Sequence, residues 1–415
     1  MTNSTYQYHT LPSGLRIVHK ESAATVAHCG IIIDTGSRDE QTDEHGIAHF
    51  IEHVIFKGTT RRKAFHILSR MDNVGGDINA YTTKEETGVY ASFLPEYYGR
   101  AIELFGDILF HSTFPLKEIE KEKDVVYDEI TSYLDTPWEQ IIDDFEDQLF
   151  AGHTLGRNIL GTPERLESIT REAIFAFIAR NYHPKQMVLC SVGKISMKRL
   201  IRMAERYLTT EHSFEKKIPR APLNQYLPQK RIVERNSFQT HIAVGNRAFP
   251  WRDKRRATLA LLTNYLGGPA MNTRLNMAIR EKYGITYNIE AQYTPYSDTG
   301  VFSVYMGTDP TNAERALHLL HREFQHSCHK IPGSNKLHIA KKQFKGQLAI
   351  AQESNLMEML SMGKSVLIQG RVDSMEQLYA QIDAITALEF MDTANAILAE
   401  NLLSTLIFKG SEQKP

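Results

Sequence analysis

The chain has 415 residues, with 48 Lys and Arg against 49 Asp and Glu and a formal net charge of −1. That is too long for one ordinary core, so two domains of about 200 residues are expected, and 42% hydrophobic with 23% charged residues excludes general disorder. The balanced charge argues against nucleic acid as a partner. Cys29, Cys190 and Cys328 stand too far apart for a disulfide framework or a CxxC clamp and read as isolated thiols of a reducing compartment. The first residues show no basic-then-apolar leader, and no long uncharged apolar run follows, so a soluble cytoplasmic protein with no membrane partner is expected.

Taken in chain order, strand-like runs Gly14 to Lys20 and Thr25 to Asp34 precede a helical pattern from about Gly46. Within it lies His49-Phe50-Ile51-Glu52-His53. At ~100° per residue, His49, Glu52 and His53 share one helical face, while Ile47, Phe50, Ile51, Val54 and Ile55 form the opposite apolar stripe. Imidazoles at i and i+4 can meet on one divalent ion, and the glutamate at i+3 reaches the same space without ligating. This is the H-x-x-E-H spacing, whose mechanics suit metal-assisted hydrolysis with the glutamate as proton acceptor.

Strand patterns return at Asp77 to Tyr81 and Glu86 to Leu94, followed mainly by helices to about Arg180. In the charged helix Leu116 to Leu134, the residues Val125, Val126, Ile130 and Leu134 are expected to face the core, and Glu122 and Glu129 share a face two turns apart. Zinc with two histidines needs one protein oxygen and an open position. Glu122 or Glu129 supplies that oxygen, and the spacing does not choose between them. The run Gln186 to Val192 reads as a further strand. A polar stretch with Pro219, Pro222 and Pro228 then marks a linker.

Beyond the linker the pattern repeats. Thr87-Gly88-Val89-Tyr90 recurs as Thr299-Gly300-Val301-Phe302, Arg100 to Leu104 as Arg315 to Leu319, and the strand Gln186 to Val192 as Ser404 to Phe408. Offsets of roughly 210 to 220 residues fit a duplicated domain rather than a solenoid. The expected fold class is therefore α+β, with two homologous domains, each a mainly antiparallel sheet packed against helices. On this reading residues 1–210 are expected to form the zinc-binding catalytic domain, 211–228 the linker and 229–415 the duplicate. The repeat places Thr258, Leu261 and Leu262 near the positions of His49, Glu52 and His53, and Gln347 at that of Glu129, so the duplicate should hold no metal. His321, His326 and His329 around Cys328 read as helix-surface histidines, and His45 as a residue closing the helix start beside Asp43.

Taken together, His49-Phe-Ile-Glu52-His53-Val-Ile-Phe-Lys-Gly58-Thr59, Asn79-Ala80-Tyr81-Thr82 and Val125-Val126-Tyr-Asp-Glu129-Ile130 resemble the pitrilysin and insulin-degrading-enzyme family of inverted-motif zinc metallopeptidases. The nearest likeness is to its short branch, which includes the mitochondrial processing peptidases and bacterial relatives. The resemblance implies one Zn2+ per chain held by His49, His53 and Glu129, with Glu52 as general base and Glu122 as a supporting carboxylate. It implies that the strand of Asn79, Ala80 and Tyr81 offers its edge to an extended peptide. Within Leu266 to Tyr287, Arg280 and Tyr287 match the family's Arg/Tyr pair, binding a substrate carbonyl and stabilising the oxyanion. Read without the family, that segment is a helix end capped at Gly284 with Tyr287 opening a strand. The implied function is a zinc endopeptidase acting on peptides or unfolded segments in a closed chamber, as a homodimer or a heterodimer with a related chain. The alternative is a non-catalytic, core-type scaffold of the same fold, in which the motif is usually damaged; here it is intact.

Overall fold

The computed structural model describes residues 6–210 and 217–411. They form two compact units. The first comprises the chain up to Thr131, Arg157–Ala221 and Ala351–Ser374; the second comprises Ser132–Gly156, Pro222–Ile350 and the chain from Met375. Each unit thus takes its sheet from one half of the chain and one helical segment from the other half.

The first unit is built on six strands: β1 (Gln7–Thr10), β2 (Arg16–Glu21), β3 (Ala27–Ile33), β4 (Asp77–Thr82), β5 (Thr87–Phe93) and β6 (Met187–Gly193). Their order is β1-β2-β6-β3-β5-β4. Only the β2–β6 pair is parallel; the others are antiparallel. Side chains alternate across the pleat. Cys29, Ile31 and Ile33 face the main helical core, whereas Ile32, with Val18, Val188, Cys190 and Val192, faces Met359, Met362 and Val366 of the helix Asn355–Gln369. Apolar residues on both faces explain the unbroken Ile31-Ile32-Ile33 run, since a sheet covered on both sides has no polar face to display. Lys20 Nζ, 2.7 Å from Glu358, and Arg16 Nη1, 2.9 Å from the Val366 carbonyl, fix that helix in place.

The second unit carries β7 (Lys230–Glu234), β8 (Thr240–Ala248), β9 (Asn288–Pro295), β10 (Gly300–Thr308) and β11 (Ser404–Lys409), in the order β7-β11-β8-β10-β9 with only β7–β11 parallel. Leaving out β1, this is the connectivity of the first sheet strand for strand, and the repeated Thr-Gly-Val motif opens β5 in one and leads into β10 in the other. One face meets the helical core. The other packs Ala243, Val301, Tyr305, Leu406 and Phe408 on the helix Pro137–Leu149 through Ile141, Phe145 and Leu149.

In the helix Leu116–Leu134, Val126 and Ile130 are buried, but Val125 and Leu134 are about half exposed. Val125 lies 100° from Val126 on the helix, and the buried stripe runs instead through Ile119, Glu122, Lys123, Val126 and Ile130. Leu134 sits a further ~40° round from Ile130, the drift of a four-residue step, and leaves the stripe. Of the linker, 211–216 lie outside the described residues, and 217–228 carry neither helix nor strand. Arg220 is nonetheless firmly held, with its guanidinium 2.9 Å from both Asp34 and Asp39 and 3.4 Å from Glu85.

Candidate metal centre

The helix Ile47–Val54 carries the site. Its apolar stripe, Ile47, Phe50, Ile51, Val54 and the following Ile55, is buried, and that turns His49, Glu52 and His53 toward the opposite side. The helix start is fixed by backbone contacts. Gly46 has φ +93°, and a Cβ there would lie 2.9 Å from Gly161 Cα, so a side chain is excluded both by conformation and by space. The buried Glu40 carboxyl group accepts from the amides of Gly46 (3.1 Å) and Ala48 (3.0 Å), satisfying donors that the first turn leaves free. His45 does not bond within its own turn: its Nε2 lies 2.8 Å from the Asn158 carbonyl and ties in the loop that contains Gly161.

Opposite this helix, Leu116–Leu134 brings Glu129 Oε2 to 3.4 Å from His53 Nε2 and 3.8 Å from His49 Nε2. Ligand atoms of His49, His53 and Glu129 all lie within 4.8 Å of one another, and no other such group occurs among the described residues. Glu122, two turns earlier, faces the other side of the same imidazole, with Oε2 3.4 Å from His53 Nδ1, while Lys57 Nζ lies 2.6 Å from Oε1. Glu129 thus faces the two ring nitrogens that converge, and Glu122 faces the far nitrogen of His53.

Two imidazole nitrogens and one carboxylate oxygen are the donor set of a three-ligand zinc site with an open position. The electrostatics fit. Burial, with the neighbouring His53, pushes the His49 imidazole down to about 4, so that it is neutral and ligand-ready at pH 7. Its Nδ1, the ring nitrogen turned away from Glu129, is buried without a hydrogen-bond partner. For His53, burial acts downward but is outweighed by Glu129, Glu52 and Glu122, which hold the imidazole above its ordinary value. The hydrogen bond from His53 draws the Glu129 carboxyl below the usual range, and burial pushes the Glu52 carboxyl up, the direction useful in a group that must both take and return a proton.

β4 pairs only with β5 and forms one edge of its sheet. Ala80 packs toward the core on the side of the metal helix, and Tyr81 toward the opposite face, with its hydroxyl 3.3 Å from Glu86. Asn79 is exposed and donates to Asp77. Asn79, Ala80 and Tyr81 therefore present their main chain, not a shared side-chain surface.

Arg280 and Tyr287 belong to the second unit. Arg280 lies in one π-helical turn, Asn276–Glu281, a geometry frequent at functional sites. The Gly284 amide bonds the Arg280 carbonyl at 2.8 Å with φ +62°, ending the helix, and Tyr287, 68% exposed, leads into the edge strand β9. In the positions equivalent to the metal site, Thr258, Leu261 and Leu262 are buried, and Gln347 accepts a 2.5 Å hydrogen bond from Asn264.

Glu40, Lys57 and Gly161 were not singled out by sequence. Glu40 sits in a run of polar residues without periodicity, so nothing marks which of them turns inward. Lys57 carried a usable signal, being the one cation within a turn of the end of the motif helix.

Residues 16–163 match the family model described as Insulinase (Peptidase family M16), and 168–344 the one described as Peptidase M16 inactive domain. The chain is 31% identical over 403 residues to the uncharacterized zinc protease YmxG of Bacillus subtilis, covering 96% of this chain and 97% of that one. It is 32% identical over 385 residues to an uncharacterized zinc protease of Rickettsia felis, covering 91% of each. Its fold superposes with a TM-score of 0.91 and 20% identity on a peptidase M16 inactive domain structure from Pseudomonas fluorescens, covering 99% of this chain and 100% of that one. For a protease from Helicobacter pylori the values are 0.89 and 18%, covering 97% and 99%. No helix among the described residues is long and apolar enough to cross a membrane. The duplicated architecture, with a His/His/Glu group in the first half and Thr258, Leu261, Leu262 and Gln347 at the equivalent places in the second, is that of the family's two-domain short branch, and the chain belongs to peptidase family M16.

Proposed function

We propose that the protein is a zinc-dependent endopeptidase that hydrolyses peptides or unfolded segments presented as an extended strand. The observation that carries this reading is the convergence of His49, His53 and Glu129 within 4.8 Å, with Glu52 on the same helix as the two histidines. A bound zinc ion supplies Lewis acidity toward the scissile carbonyl and toward water. Glu52 takes the proton of the attacking water and returns it to the leaving amine. The open edge of β4 pairs with substrate main chain, which gives broad sequence tolerance. Arg280 holds a substrate carbonyl, and the Tyr287 hydroxyl donates to the developing oxyanion. Substrates are selected by size and flexibility in a closed chamber, which for a two-domain chain is formed by a dimer.

The test compares the zinc-loaded wild-type chain with Glu52→Gln and Glu129→Gln on a quenched, unstructured peptide. Glu52→Gln keeps its metal and loses about 10²–10⁴-fold in turnover, while Glu129→Gln weakens metal binding. Parental turnover by metal-loaded Glu52→Gln would overturn the general-base assignment. A zinc-loaded wild-type chain that cuts no unstructured peptide would point to the non-catalytic scaffold.

A further inference from the structure

We infer that Lys57 is a positioning residue of the metal centre, acting through Glu122 on the ring of His53; this rests on the zinc reading above. The two oxygens of Glu122 serve different partners, Oε1 lying 2.6 Å from Lys57 Nζ and Oε2 3.4 Å from His53 Nδ1. A carboxylate only accepts, so Nδ1 must carry the proton for this contact to be favourable. With zinc bound at Nε2, the nitrogen that faces Glu129, Nδ1 would keep its proton and donate it to Glu122. An outer hydrogen bond that fixes the tautomer and orientation of a ligating imidazole in this way tunes the metal site. His49 has no such support, because its Nδ1 has no partner. The site is therefore held asymmetrically, and Lys57 is the part that fixes the supporting carboxylate.

The chain around Lys57 suits that role. Its own amide bonds the Val54 carbonyl at 3.1 Å, closing the motif helix, and the Gly58 carbonyl accepts from Thr113 at 3.0 Å. The Thr59 hydroxyl donates to Asp107 at 3.0 Å. The side chain leaves from a pinned turn and is 25% exposed, while that of Glu122 is 10% exposed. An ion pair this sheltered constrains geometry, unlike the solvent-exposed pairs that contribute little. With Lys57 removed, Oε1 loses its charged partner, and the carboxylate is free to rotate away from Nδ1.

The experiment is a Zn2+ competition titration against a chromophoric chelator at fixed pH, on the full chain, for the wild type, Lys57→Met, Lys57→Gln, Lys57→Arg, Glu122→Gln and the Lys57→Met/Glu122→Gln double variant. Thermal midpoints are recorded on the metal-free proteins and the 15N signal of His53 Nδ1–H on the zinc-loaded ones. Lys57→Met and Lys57→Gln should weaken zinc binding about tenfold, the lower end of what loss of an outer partner costs. Lys57→Arg should restore most of it, and the His53 Nδ1–H signal of the zinc-loaded protein should lose its hydrogen-bonded shift in the two neutral variants. In the Glu122→Gln background Lys57→Met should cost nothing further, because a residue acting only through Glu122 has no second route. Unchanged zinc affinity in both neutral variants, or an equal loss with and without Glu122, would overturn the inference. So would a loss that accompanies a lowered thermal midpoint with no change in the His53 Nδ1–H signal. A wild-type chain that binds no zinc would instead remove the metallopeptidase reading itself.

Discussion

Glu40 makes the stability of the metal-free protein fall as the pH rises, and Glu40→Gln should abolish that dependence. The carboxyl is 3% exposed, and burial raises it from 4.5 to about 8, against the pull of the Ala48 and Gly46 amides and of Arg157. Between those two values the unfolded chain has released the proton and the folded chain still holds it. The unfolded state binds fewer protons there, so stability declines with pH across that window, and below pH 4.5 there is no penalty. At ~1.36 kcal/mol per pH unit the full penalty, reached near pH 8, is on the order of 5 kcal/mol, comparable with the whole stability of many domains. Glutamine keeps an acceptor for one helix amide and is neutral at every pH. Its own cost, an imperfectly matched amide, is about 1–3 kcal/mol and does not vary with pH. Urea unfolding followed by circular dichroism, in chelator, should show the variant no more stable than the wild type at pH 5 and more stable by several kcal/mol at pH 8. Taking the difference between the two proteins cancels every other titrating group. Curves that stay parallel from pH 5 to 8, or a wild type that gains on the variant as the pH rises, would refute the reasoning.

Two further outcomes are expected. Because His53 is held above 6.5, zinc must displace a proton from it at and somewhat above that pH, so apparent affinity should decline toward acid by up to about tenfold per pH unit; a flat chelator-competition profile between pH 5.5 and 8 would contradict this. If the site is shared between protomers, mixing inactive His49→Ala with an inactive variant carrying Ala at Arg280 and Tyr287 should regain peptide cleavage, since a mixed dimer holds one complete site; no recovery despite verified subunit exchange would exclude sharing.

The strands around Ile31, Val89 and Leu189 were legible because alternation, or an unbroken apolar run, is a local property. The same holds for the motif helix, whose apolar stripe already turns His49 and His53 the other way. Choosing Glu129 over Glu122 was not local. Both lie on one helical face seven residues apart, and only their placement against His53 separates the ring nitrogen each one meets. Val125 misled because an apolar residue beside Val126 looks like core until the stripe is traced back to Ile119. Glu40 and Arg220 were invisible for a common reason. A buried charge is identified by what surrounds it, and the partners of Arg220, Asp34 and Asp39, are about 180 residues away in sequence.

The helix Asn355–Gln369, which closes the second face of the first sheet, has a consequence for how the protein is made. The strands it covers are complete once Gly193 has left the ribosome, yet the ion pair of Lys20 with Glu358 joins residues 338 apart. At ~5–20 residues per second the intervening ~180 residues take roughly 10–35 s to synthesise. Through that interval Val18, Ile32, Val188 and Val192 have no cover, although all four are fully buried in the finished fold. Gly363, where a Cβ would come within 2.6 Å of Ile32 and 2.9 Å of Cys190 Sγ, lets the late helix settle directly on a sheet that formed first. A nascent chain stalled near residue 210 should therefore expose an apolar strip that holding chaperones recognise, and one stalled well beyond Ser374 should have hidden it.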